Sequence, residues 1–174
     1  MMREILKYIL WFVAAILSQV LVFDNMVFPG GFVLSVYVFV ILILPFNSNR
    51  IVLMLVAAIL GIGIDAFNDT FGLYLSSIVF LAWTRPYVYK WFEPVVGYSE
   101  NQRPTVKDMG WGWTLKTYMI LILLYHCWFY SLSFLRLIGP WFTVQKILLS
   151  SVSTLLIIFV LQVLYSRKVN KNEF

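Results

Sequence analysis

The chain has 174 residues, 61% of them hydrophobic and 12% charged, with a mean hydropathy of +0.86 and a formal net charge of +5. Soluble domains average about 45–50% apolar and about 25% charged residues, so this balance excludes an ordinary water-soluble fold and points to lipid as the solvent. The basic residues flank apolar runs instead of forming one patch, which argues against a nucleic-acid surface, and the lone Cys127 rules out an internal disulfide.

A hydrocarbon core of about 30 Å takes about 20 helical residues. Six stretches meet or approach that length: residues 5–23, 32–46, 51–67, 71–92, 113–135 and 141–165. Arg3 and Lys7 precede the first, and no small-x-small cleavage site follows it, so it reads as a retained helix and not a removed signal. The second ends at Pro45, and the polar run Asn47-Ser48-Asn49-Arg50 turns the chain into the third. The third ends in Asp65. The fourth carries Arg85-Pro86 near its end, where Arg85 is expected to snorkel and Pro86 to kink or end the regular helix. The one sizeable connection, residues 93–112, holds Pro94, Gly97, Pro104 and Gly110 and is expected to be mostly loop. Residues 1–174 thus read as a single all-α, polytopic transmembrane domain with about six helices.

Orientation follows from the Lys and Arg count. With the N-terminus inside, the inner flanks hold 11 of these residues, and the outer side holds Arg136 and Lys146 alone. The positive-inside rule selects a cytoplasmic N-terminus and C-terminus, and residues 93–112 become a cytoplasmic loop. Trp91, Trp111 and Trp113 bracket that loop and Trp141 marks an outer boundary, as in an interfacial aromatic belt.

Several polar residues stand out against this background. Asp65 and Asp69 share a helical face if the helix continues, and such a pair suits a cation, a partner, or pairing with Arg136 or Lys146; a helix end meeting water is the plainer alternative. Ala57 and Gly61 form a small-xxx-small pair, a signal for close helix packing. Gln19 and Gln162 suit interhelical hydrogen bonds, Asp24 belongs to the outer polar set, and His126, near the middle of the fifth stretch, needs a hydrogen-bond partner. One histidine and one cysteine do not make a structural zinc site, and no zincin, Walker A, Gly-x-Ser-x-Gly or paired-glutamate motif is present. The residues call for no cofactor and no metal, and no catalytic assignment is made.

The residues also carry a resemblance. Gln19-Val20-Leu21-Val22, Leu44-Pro45-Phe46, Gly61 with Asp65, Asp69-Thr70-x-Gly72, Arg85-Pro86, Pro104-Thr105-x-x-Asp108-x-Gly110 and His126 occur in an order and spacing that resembles the MreD family of rod shape-determining proteins, in the form found in Bacteroidetes. The resemblance implies a multi-pass protein of the bacterial cytoplasmic (inner) membrane. It also implies a non-enzymatic role in the cell-elongation complex that supports lateral peptidoglycan synthesis, with MreC, MreB, RodA and the elongation-specific penicillin-binding protein as partners. It further implies a fold like the substrate-capture subunits of energy-coupling-factor transporters. A capture subunit for a vitamin-type substrate is therefore the alternative, with Gln19, Asp24, Asp65 and Asp69 as its outer pocket. An enzyme acting on lipid-linked substrates through Asp65 and His126 is a third reading. Partner- or ligand-contact candidates are Gln19, Asp24, Gly61, Asp65, Asp69, Arg85 and His126, with membrane lipids around the whole.

Overall fold

A computed structural model describes residues 12–24, 31–95, 97–99, 102–133 and 139–170, with side chains up to residue 163. The regular structure among the described residues is all helical, with no strand. Helix α1 is described over Phe12–Phe23 and closes in a wide π turn, Gln19–Phe23. The others are α2 (Val38–Leu42), α3 (Arg50–Asn68), α4 (Leu73–Trp91), α5 (Val106–Ser133) and α6 (Pro140–Asn170). Three of them are long and apolar enough to cross a membrane: α3, α5, and α6 over Pro140–Val163. Helix α4 matches α3 in length at 19 residues, but it carries Ser76, Ser77, Thr84, Arg85 and Lys90 and is less apolar.

Contacts between side chains fix the directions. Arg50 meets Tyr87, Gly61 lies against Leu75 and Asp65 bonds the amide of Tyr74, so numbers rise along α3 as they fall along α4. The same opposition relates α4 to α5, through Tyr89–Trp113 and Tyr74–Phe129, and α5 to α6, through Trp111–Phe159 and Tyr130–Ser150. Helices α3 to α6 therefore alternate in direction. Helix α1 runs the same way as α3, since Ile16 faces Gly63 and Asp24 bonds Asn68. The buried core joins Tyr37 and Ile41, Leu53, Leu60 and Ile64 of α3, Ile78 and Leu81 of α4, and Leu121, Ile122 and Tyr125 of α5.

Two expectations need correction. The stretch 32–46 was expected as a helix, but only Val38–Leu42 is α-helical there; residues 31–35 have no regular structure. The stretch still runs from the Tyr130–Ser150 end of the bundle to the Arg85–Tyr89 end. The second correction is at the loop, where α5 starts at Val106, seven residues before the expected Trp113. Its start is a capping arrangement: Thr105 Oγ1 accepts from the Asp108 amide at 3.4 Å, and the Asp108 carboxylate accepts from the Arg103 amide at 2.9 Å. Gly110, at φ 78°, then breaks the helix in a conformation that suits glycine. The segment is also tied down, because the Pro104 carbonyl accepts from Tyr118 at 2.5 Å and the Val106 amide donates to Gln162 at 2.8 Å. Trp113 Nε1 donates to the Phe92 carbonyl at 2.8 Å, and Phe46 stacks on Tyr98 with ring centroids 4.0 Å apart.

Candidate functional site

The most unusual chemistry in the bundle is the backbone of residues 31–37. A non-helical segment among packed helices cannot satisfy its own N–H and C=O groups, and each group left unpaired in an apolar interior costs about 1–3 kcal/mol. Here side chains from three helices supply the partners. Gln19 of α1, fully buried, donates from Nε2 to the Leu34 carbonyl at 2.6 Å and accepts at Oε1 from the Val36 amide at 2.9 Å. Its amide thus meets this segment, the strap, as a neighbouring strand would, one donor and one acceptor to one stretch of backbone. From the far side, the Val33 amide donates to Tyr130 of α5 at 3.1 Å and to Ser150 of α6 at 3.0 Å, and these two hydroxyls share a 2.8 Å bond. The Ser35 amide donates to Thr154 Oγ1 at 3.2 Å. Tyr37, the last residue of the strap, shares a 2.6 Å bond with Tyr125. The π turn closing α1 is part of this design: Asp24 N–H reaches back to the Gln19 carbonyl at 2.9 Å, and wide turns of this kind are frequent at functional sites.

Each residue singled out from the sequence has a definite place. Gln19 is the clamp just described. Asp24 accepts from Gln19 Nε2 and from Asn68 Nδ2, both at 2.7 Å, which ties α1 to the end of α3. Burial raises its carboxyl pKa above the ordinary value, and the bonds from Gln19 and Asn68 act against that rise.

Gly61 marks the closest approach of α3 and α4, where a Cβ would stand 2.4 Å from the Leu75 Cα. The small-residue pair Ala57–Gly61 is therefore a packing face, as its spacing predicts.

Asp65 faces the start of α4. It accepts from the amides of Tyr74 at 3.1 Å and Leu75 at 2.8 Å and from the Thr70 hydroxyl at 2.5 Å. An anion at a helix N-terminus satisfies orphan donors and meets the positive end of the helix dipole. Asp69 donates its amide to the Asp65 carbonyl, but its carboxylate does not share the Asp65 side-chain bonds. It ends α3 in the left-handed conformation, φ 50°, and is exposed. The two carboxylates line a shallow cleft of about 370 Å³ with Ile62, Thr70, Phe71 and Leu75. Lys146 lies over Gly31 instead of pairing with Asp65, and Arg136 falls outside the described residues.

Arg85 does not snorkel. It is 2% exposed, its Nη2 donates to the Leu44 carbonyl, and its guanidinium carbon stands 4.8 Å from the Tyr89 ring centre. Pro86 does not end α4, which continues to Trp91. His126 is fully buried, with Nδ1 3.0 Å from the Ile122 carbonyl and the Val33 backbone as its other polar neighbour. It makes no bond to Asp65. In the connecting segment, Tyr98 donates to the Tyr89 carbonyl at 2.6 Å, and burial pushes its pKa up to about 12.

Among the described residues no three His, Cys, Asp or Glu side chains come together in a way that could hold a metal ion. The strap itself and its partners Tyr130, Ser150 and Thr154 were missed from sequence. The available signal was weak: hydroxyl residues on the fifth and sixth apolar stretches, two of them four apart on one helical face. No family model, no curated protein and no solved structure matches this chain.

Proposed function

We propose that this chain is a six-pass protein of the bacterial cytoplasmic membrane, with both termini in the cytoplasm, acting as a non-catalytic component of the cell-elongation complex. On this reading it binds MreC, with MreB, RodA and the elongation-specific penicillin-binding protein as further partners, and so supports cell shape and lateral peptidoglycan synthesis. The resemblance to the MreD family supports it. So does one structural observation: the polar side chains that stand out in the sequence bond inward, and the outward faces are apolar. Gln19, Asp24, Asp65, Arg85 and His126 all bond groups within the protein. Ile51, Leu55, Ile59 and Ile62 of α3 and Leu148, Val152, Leu156 and Val160 of α6 are exposed. Such stripes suit lipid and partner helices. The capture-subunit alternative needs its outer polar groups free for a ligand, yet three of the four, Gln19, Asp24 and Asp65, are engaged.

Affinity purification in mild detergent from the native membrane, followed by protein mass spectrometry, tests the reading. Recovery of MreC together with the peptidoglycan polymerase–transpeptidase pair is the expected result. Recovery of an ATPase pair with a transport subunit would replace it with the capture reading.

A further inference from the structure

Arg85 is a buried cation whose charge the surrounding protein does not answer. It is 2% exposed, and Nε makes no hydrogen bond. One Nη donates to the Leu44 carbonyl, the Tyr89 hydroxyl is also a hydrogen-bond partner, and the Tyr89 ring lies 4.8 Å from the guanidinium carbon. Among the described residues no carboxylate pairs with it. A carbonyl at the end of a short helical segment and an aromatic face supply only partial negative charge. Burying a full charge on such terms is costly, and buried cations are found paired. Guanidinium has five donors in a planar fork that matches phosphate and carboxylate oxygens, and here the Nε donor is left without a partner.

The position favours a phosphate from lipid. Arg85 lies six residues before Trp91, or about 9 Å from the end of α4 at 1.5 Å per residue. Tyr87, Lys90 and Trp91 on that last turn are exposed, a mix of aromatic and basic groups typical of the membrane interface. The Leu44 carbonyl belongs to the turn between α2 and α3, in which Pro45, Asn47 and Asn49 are exposed. The guanidinium thus stands just beneath headgroup level, behind a short turn. Arg50, at the other end of that turn, bonds Tyr87 at 3.2 Å.

We infer that Arg85, at the base of the α2–α3 turn, is a binding site for the phosphate of an anionic phospholipid headgroup. The inference rests on the membrane reading above and not on which proteins bind the chain. The test uses the full chain, stripped of lipid in maltoside detergent, and follows its melting temperature against added phosphatidylglycerol, diacylglycerol or inorganic phosphate. Phosphatidylglycerol should raise the melting temperature saturably and diacylglycerol should not. Hydrogen bonds to a charged group contribute about 1.5–3 kcal/mol, so Arg85→Met should weaken the apparent lipid affinity by about ten- to hundred-fold, and Arg85→Lys by less. If Arg85→Met does not accumulate, the wild-type lipid series and Arg85→Lys carry the test. An equal response to diacylglycerol, or an unchanged phosphatidylglycerol midpoint in either variant, would overturn the site. Inorganic phosphate giving the full shift alone would overturn its assignment to lipid. Because the readout is lipid binding to the isolated chain, its failure is separate from any failure to recover the elongation partners.

Discussion

The α3–α4 hairpin and the strap at residues 31–37 are both tightly packed, but by different means. In the hairpin, helical backbone bonds are made locally, and the two helices approach because Gly61 offers nothing between them and Leu75. Its polar device at the turn, Asp65, serves amide donors nine and ten residues away, and at the other end Arg50 bonds Tyr87. In the strap, backbone groups find partners on α1, α5 and α6, up to 119 residues distant. The hairpin is made by removing side-chain atoms, the strap by supplying polar ones. The comparison teaches that non-helical backbone survives in an apolar bundle only when other elements lend their side chains to it.

The comparison breaks most sharply at Gln19. Gln19→Leu keeps the volume but leaves the Leu34 carbonyl and the Val36 amide unpaired, an expected loss on the order of 3–5 kcal/mol. Equilibrium unfolding in mixed micelles would measure it, and amide exchange should quicken at Val36 before it does at Leu75. Exchange that rises equally at both sites would mean that strap and hairpin are one cooperative unit. Next comes Gly61→Ala, whose methyl meets backbone and not a flexible side-chain tip; overpacking of this kind costs about 1–3 kcal/mol. A smaller effect, about 1–2 kcal/mol, is expected for Asp65→Asn, because one amide oxygen cannot serve Tyr74 and Leu75 as two carboxylate oxygens do. The smallest has the opposite sign. Asp69→Gly relieves a left-handed residue, φ 50°, and should stabilise by about 0.5 kcal/mol in a thermal melt.

The hairpin was largely legible in the sequence, and the strap was not. Apolar length gave α3, α5 and α6, and the four-residue spacing of Ala57 and Gly61 gave the close face. Asp65 was visible as a helix-end acid, but its partners were not, because they appear only once Gly72 turns the chain back. The stretch 32–46 is as apolar as a helix would be, and hydropathy reports transfer from water without reporting backbone conformation. Gln19 was marked as an interhelical bonder; that it bonds backbone could not be read without knowing that its neighbour had left the helix. The early start of α5 does have a local signature, Thr105 followed three residues later by Asp108, but the prolines and glycines around it signal loop more strongly.

The strap also sets an order of events. The Val33 and Ser35 amides bond Ser150 and Thr154, which lie 117 and 119 residues further along the chain. A chain emerging from the ribosome makes residues 31–37 long before α6 exists. Until α5 supplies Tyr130 and Tyr125, Gln19 alone holds the segment, from one side, and α6 completes the far side. The strap is therefore begun early and finished last. A chain cut before Ser150 should keep the α3–α4 pairing and the Tyr130 bond to Val33 but lack the α6 partners of the strap, so proteolysis during synthesis would be expected to strike first near residue 35.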